Sequence, residues 1–403
     1  MARSNGASKS NPWIWGQAHW PHLTFDVSPL ASDLAQAHRL HGAVEGKLAA
    51  IGLHHREAIL LDTLSSEVMA TAEIEGQHLS LESVRSSVMR KLGIAANGPR
   101  DRQVDGLVDV INDASTGFVE PLDEDRLCRW QSALFPGGLS GLRRIAVGRY
   151  RDHHDPMQIV SGRPGREVVH YEAPPSSEVP MQMQAFLEWF AASTPRAGHP
   201  NPAALGACAD ARATPDMDGI ARAAIAHLWF ETIHPFEDGN GRIGRAIIDL
   251  VFAQHLRQGT RLFSLSRRLL KVRMAYYDAL NQAQRGGCDV TAWVQWFVQQ
   301  WAAACIETGD LIDQALYKRQ FWDTHAQAAL NERQRKVLQR LLDAGDGGFL
   351  GGLTAEKYMK ITGVSKATAT RDLAQLLAAG QLRSRGAGRG IRYEVNVPQW
   401  AHP

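Results

Sequence analysis

Cysteine is scarce in this chain of 403 residues: Cys128, Cys208, Cys288 and Cys305 stand far apart and form no C-x-x-C pair. That spacing excludes a zinc ribbon, a redox dithiol and a disulfide framework, and it fits a reducing compartment, so a cytoplasmic location is expected. Net charge is scarce too, since 44 Lys+Arg against 42 Asp+Glu leave +2. No overall field argues for nucleic acid or a membrane surface, and any basic partner site has to be local. Long apolar runs are missing. Nowhere do about 18 uncharged apolar residues follow one another, and Met1 to Asn11 is polar, so neither a membrane span nor a secretion signal is expected. The G-x-x-x-x-G-K-[ST] phosphate loop and internal repeats are absent as well.

What is present is 44% hydrophobic content over a length that supports two or three cores. Three domains are expected: a helical N-terminal module over 1–110, a catalytic domain over 111–305 and a C-terminal domain over 325–403. Trp13, Ile14, Trp15 and Trp20 crowd the start, followed by helical spacing through Leu40, Val44, Leu48 and Ile51, then from Ile59 to Met69 and from Leu81 to Leu92. Short β-rich runs, Met157 to Val160 and Val168 to Tyr171, flank Gly162 to Gly165 and predict a hairpin. Helical periodicity returns from Pro180 to Phe190, from Gly219 to Ile233 and from Ile243 to Phe252, then through Leu280 and Trp301. His153 and His154 beside Asp155 lack a further ligand at standard spacing and read as a polar loop.

The densest chemistry is the run His234-Pro235-Phe236-Glu237-Asp238-Gly239-Asn240-Gly241-Arg242-Ile243-Gly244-Arg245. Its glycines are expected to let the backbone turn its amides toward one point at the start of the next helix, where free N–H groups and the helix dipole favour an anion. Arg242 and Arg245, three apart, can reach polyphosphate oxygens together. Asp238 offers a hard oxygen for Mg²⁺, and His234 is the side chain whose ordinary pKa suits proton removal near neutrality. Gly239-x-Gly241-x-x-Gly244 also matches G-x-G-x-x-G, but a dinucleotide fold needs a strand before it, and the preceding segment reads as a helix.

The same run resembles the signature of the Fic family, His-Pro-Phe-x-Asp/Glu-Gly-Asn-Gly-Arg-x-x-Arg, at every specified position. The resemblance implies a mainly α fold, the Fic helical fold with a small β-hairpin flap, and transfer of AMP from ATP to a Ser, Thr or Tyr hydroxyl of a target protein. By the same resemblance His234 is the general base and Asp238 the Mg²⁺ ligand. Gly239, Asn240, Gly241, Arg242 and Arg245 handle the phosphates, and Phe236 holds the loop. Thr71-x-x-x-Glu75-Gly76 resembles the family's inhibitory motif, with the Glu75 carboxylate expected to pair with Arg245. The hairpin, with Ile159, Val160, Ser161 and Gly162, sits where family members carry a target-docking flap, and an open strand edge can align an extended segment. Tyr277 and Asn281 resemble the segment near adenine, with one of Tyr276 and Tyr277 expected in the core.

The C-terminal part predicts three helices, around Val337 to Leu342, from Thr354 to Ile361 and opening at Ser365, then strands at Leu382 and from Ile391 to Val395: a winged helix-turn-helix. Lys366, Arg371, Arg383, Arg385, Arg389 and Arg392 supply the charge that DNA phosphates would need, although such a fold also serves protein docking. Readings left open are a DNA-binding regulator with a nucleotide-sensing Fic domain, another nucleotide donor, removal of AMP, self-modification and a homodimer.

Overall fold

A computed structural model describes residues 11–50, 53–161, 166, 168–195, 217–259, 263–345, 349 and 351–400. Gly162 and most of the expected loop from Thr194 to Pro215 lie outside the described residues. The chain divides into two compact units, Met1–Thr308 and Gly309–Pro403.

The first unit is mainly helical: α1 (Ala31–Ala50), α2 (Leu53–Ile74), α3 (Leu81–Lys91), α4 (Arg102–Thr116) and α5 (Glu124–Leu134) come first. Two antiparallel hairpins follow, β1 (Leu139–Ser140) with β2 (Arg143–Arg144) and β3 (Gln158–Ser161) with β4 (Val168–Glu172). Then come α6 (Val179–Ala192), α7 (Gly219–Ile233), α8 (Asn240–Leu256), α9 (Leu265–Lys271), α10 (Arg273–Arg285) and the start of α11 (Thr291–Thr324). Side chains mark several starts: Asp101 accepts from Gln103 N at 2.9 Å before α4, and Asp123 from Arg126 N at 2.8 Å before α5.

The axis of this unit is α7, in which every residue is buried. A helix apolar on all sides belongs in a core, and its polar members must find partners there. Arg222 does so with Phe190 O (2.8 Å), Ser193 Oγ (2.9 Å), Gln254 Oε1 (2.9 Å) and Thr194 Oγ1 (3.0 Å). Packed against α7 is α8, which also meets α4 and α5. The N-terminal aromatics pack inward. Trp13 meets Tyr171 edge-on at 5.1 Å, Trp15 Nε1 donates to Glu172 O at 2.8 Å, and Tyr171 donates to Thr232 O, so the base of the β3–β4 hairpin is fixed to the end of α7.

In the second unit, α12 (Glu332–Asp343) opens on a reciprocal cap between Asn331 and Gln334. Next come α13 (Ala355–Thr362), Gly363 with φ 71°, and α14 (Lys366–Ala378), whose N-cap Ser365 accepts from Thr368 N. β5 (Leu382–Arg385) and β6 (Arg392–Val395) pair antiparallel, and Leu353 bridges to Tyr393. Val337, Leu341, Tyr358, Leu373, Leu376 and Trp400 belong to its core.

Candidate active site

The chain leaves α7 through His234, which adopts the left-handed conformation (φ 51°) with its N–H on Phe230 O at 2.9 Å. A non-glycine residue there needs outside support. Arg151, buried, supplies it. Its Nε donates to His234 O (2.8 Å), and Nη2 donates to Ile233 O (3.2 Å) and Pro174 O (2.6 Å), while its own backbone N–H meets Pro235 O at 2.9 Å. Phe236 is fully buried against Tyr150 and Phe230, which anchors the loop as expected. Asn240, expected at the phosphates, is used differently. Its side chain accepts from Phe236 N (3.0 Å) and donates to Phe236 O (2.8 Å), closing the loop.

The glycines also need correcting. Only Gly239 (φ 93°) sits at the turn, as N-cap of α8; Gly241 and Gly244 are helical. What they provide is close approach. A Cβ on Gly241 would overlap Glu75 Oε1, and one on Gly244 would overlap Glu231 Oε1 and crowd His227 Nδ1. No side chain caps α8, and the amides that open a helix have no intrahelical partner, so its start carries partial positive charge.

Into that end comes the terminus of α2. Gly76 (φ 75°) stops the helix, with Gly76 N on Glu73 O (2.9 Å) and Gln77 N on Ala72 O (3.0 Å), the Schellman pattern that glycine makes accessible. The stop leaves Glu75 just past the last residue of α2, one turn beyond Thr71. Arg245, buried, donates from Nε to Thr71 Oγ1 (2.7 Å) and from Nη2 to Thr71 O (3.0 Å) and Glu75 Oε1 (2.8 Å). Burial works against its charge, but the Glu75 carboxylate outweighs that and holds the guanidinium protonated. Arg242 donates to Gln77 Oε1 (3.1 Å), lies 3.5 Å from Asp238 and stacks over Phe135 at 4.8 Å. Asp238 accepts from Ser140 and from Gly239 N, and its side chain stays partly exposed.

His234 is nearly enclosed, and burial with the charge of Arg151 lowers its pKa to about 4, so the imidazole is neutral at ordinary pH and able to accept a proton. Behind it stands Glu231, which the sequence reading missed. Among the described residues no group of three or more His, Cys, Asp or Glu could enclose a metal. A Mg²⁺ on the hard oxygens of Asp238 would therefore complete its shell from phosphates and water.

The structure thus brings His234, Asp238, Gly239 to Arg245 and Glu75 together. Tyr276 is the core member of its pair, on His227 at 2.7 Å, while the Tyr277 hydroxyl donates to Ile74 O at 2.9 Å and clasps the end of α2. Asn281 donates to His170 O at 2.6 Å, and Arg285 to the same carbonyl at 3.2 Å, so α10 covers the outer edge of β4. That leaves β3 as the open edge, with Ile159, Val160 and Ser161 exposed and a register shift between Ile159 and Val160.

Residues 121–252 match a family model described as the Fic/DOC family, and residues 13–94 match a domain of unknown function, DUF4172. A protein adenylyltransferase Fic from Nematostella vectensis is 24% identical over 215 residues, 53% of this chain and 42% of that protein. Protein adenylyltransferase fic-1 from Caenorhabditis elegans is 26% identical over 238 residues, 58% of this chain and 40% of that one. The chain therefore spans less than half the length of these curated relatives. Among solved structures, a Fic domain containing signaling protein from Bacteroides thetaiotaomicron is similar over 70% of this chain and 96% of its own, with 16% identity and a TM-score of 0.50, which speaks to the fold.

Proposed function

We propose, from the premise that residues 121–252 form a Fic/DOC domain, that this chain is an adenylyltransferase held at rest by Glu75, moving AMP from ATP to a protein hydroxyl. The observation that carries the reading is that the neutral His234, the uncapped start of α8 and Arg242 with Arg245 converge, and that the Glu75 carboxylate is seated among them. A helix N-terminus flanked by two arginines is an anion site, and a carboxylate on it occupies the place a terminal phosphate would need. With Glu75 displaced, the first-turn amides of α8 and the two guanidinium groups hold the phosphates. Asp238 would hold a Mg²⁺ ion, which when bound would supply charge neutralisation beside them. Nε2 of His234 takes the proton of the target hydroxyl; the oxygen bonds to the α-phosphorus, the bond from that phosphorus to the β-phosphate oxygen breaks, and pyrophosphate leaves. Most of the acceleration comes from positioning and charge neutralisation. The open edge of β3 supports docking of an extended target segment, the chain itself included.

Transfer of label from α-labelled ATP tests this. Glu75→Gly is expected to raise the rate by about tenfold or more, the scale of about 1.4 kcal/mol. Adding His234→Ala is expected to cut it by about 10²-fold or more, the contribution of a general base. Unchanged label in Glu75→Gly at saturating ATP would remove the brake, and label surviving the loss of His234 would remove the base. Competition among nucleotides decides the donor.

A second reading concerns the second unit, where three helices and the β5–β6 hairpin support a winged helix-turn-helix that binds duplex DNA. From Gly309 to the C terminus, 14 Lys+Arg stand against 9 Asp+Glu, whereas the rest of the chain carries 30 against 33. Exposed Lys366 and Arg371 on α14 and Arg385 on β5 have no ion pair among the described residues. Arg383 is different: Glu394 pairs with it at 3.1 Å and Trp400 O accepts from it at 2.7 Å, which withdraws it from the expected phosphate contacts.

A further inference from the structure

Behind the base stands a carboxyl for which the transfer step has no use so far. Glu231 lies on the last turn of α7, three residues before His234, with its side chain 6% exposed. Its Oε2 is 3.7 Å from His234 Nδ1, and both Nδ1 and the other carboxyl oxygen, Oε1, are buried without a hydrogen-bond partner. The space is made by Gly244, since any Cβ there would overlap Oε1. A polar atom kept unpaired in a core is costly unless something uses it.

Each packed element contributes to its surroundings. From α7 come His227 and His234, the latter also facing the Glu231 main-chain carbonyl; from α8 comes Arg245; and from α10 come Tyr276 and Gln284, whose Nε2 donates to Glu231 O at 3.3 Å. Glu75 reaches it electrostatically from the end of α2, and the charge of Arg151 acts on the imidazole.

We propose that Glu231 is the positioning residue of His234: as a carboxylate that closes on the ring it accepts a hydrogen bond from Nδ1–H and leaves Nε2 free to take the proton of the target hydroxyl. As a neutral acid Glu231 does the reverse. Its O–H donates to Nδ1, the ring proton moves to Nε2, and the nitrogen facing the target is no longer a base. When Nε2 accepts the target's proton, the imidazolium is balanced by the carboxylate behind it, and no other proton has to move. Which nitrogen carries the proton is set by the hydrogen bond at the other one. Burial raises the Glu231 carboxyl to about 8, with Arg245 opposing and Glu75 reinforcing the shift, so the change falls within a range that a rate profile can scan.

The inference rests on the AMP-transfer reading, so two readouts are needed. In the Glu75→Gly background, the transfer rate between about pH 6 and 9 is expected to rise with the ionisation of Glu231. Adding Glu231→Gln is expected to abolish that rise and lower kcat by about tenfold or more at the alkaline end, with KM for ATP unchanged. Independently of activity, ¹⁵N shifts of the His234 ring in otherwise wild-type protein are expected to show the tautomer changing with pH, and to stay fixed in Glu231→Gln. If Glu75→Gly transfers no AMP, the function fails while the ring spectra still decide the role of Glu231. If Glu231→Gln keeps the profile or the pH-dependent tautomer of its parent, or if it changes only the unfolding temperature, the positioning role is overturned.

Discussion

Arginine does opposite work in the two units. In the first, Arg151, Arg222 and Arg245 are buried, and each guanidinium is bonded to fixed carbonyl, hydroxyl, amide or carboxylate oxygens. In the second, Arg371 and Arg385 are exposed and make no ion pair among the described residues. A buried arginine with fixed partners is preorganised, either holding backbone in one conformation or waiting for one anion of one shape. An exposed arginine contributes to a field that any polyanion feels and that salt screens. Basic residues therefore cannot be read by count, because burial decides whether they build a site or advertise a surface.

The sharpest way to test that contrast is Arg151→Met. It leaves the carbonyls of Ile233, His234 and Pro174 without their donor and is expected to destabilise the first unit by about 3 kcal/mol, visible as a lower denaturation midpoint together with lost transfer in Glu75→Gly protein. Arg371→Ala should stay within about 0.5 kcal/mol of the parent. Equal losses in the two variants would erase the distinction.

Acid separates the units next. Burial lowers His41 and His234 to about 4 and His227 to about 3. Between pH 6.5 and about 4 the unfolded chain binds protons that these folded sites refuse, so stability falls as pH drops through that window, by about 1.4 kcal/mol per pH unit for each histidine. His38, whose pKa Asp218 raises, moves the other way and offsets part of it. Among the described residues of the second unit, only the half-buried His325 is lowered. Unfolding followed by hydrogen exchange at about pH 7.5 and 5.5 is expected to show the first unit weakening more. The smallest effect concerns DNA. Arg371→Ala with Arg385→Ala is expected to weaken duplex binding about tenfold and flatten its salt dependence by about two phosphate contacts, with Arg383→Ala nearly silent. Binding that ignores salt would remove the winged-helix reading.

Much of this was legible beforehand. Helical periodicity located α7, α8 and the C-terminal helices, and the motif from His234 to Arg245 named the site. The inhibitory pairing was expected from Thr71, Glu75 and Gly76, and the contacts at Arg245 have that form. The roles of Asn240, Gly241 and Gly244 were not legible, because a side chain that closes its own loop and a glycine that admits a neighbour's carboxylate look, in sequence, like phosphate donors and turn residues. Arg151 left no signal at all. Glu231 left one: a glutamate inside the all-round apolar run of α7 has no solvent face to occupy, so its burial and its need for a partner follow from the pattern.

The order of residues alone determined the helices, the chemistry-bearing run and the stop of α2 at Gly76, since periodicity, residue type and a glycine's freedom at positive φ are local properties. Tertiary structure alone decided that the end of α2 comes to rest on the start of α8, that Arg151 locks His234 and that Glu231 stands behind the ring. Those relations join residues between 3 and 174 positions apart, and they exist only because packing around α7 forces buried polar groups to satisfy one another wherever the fold has placed them.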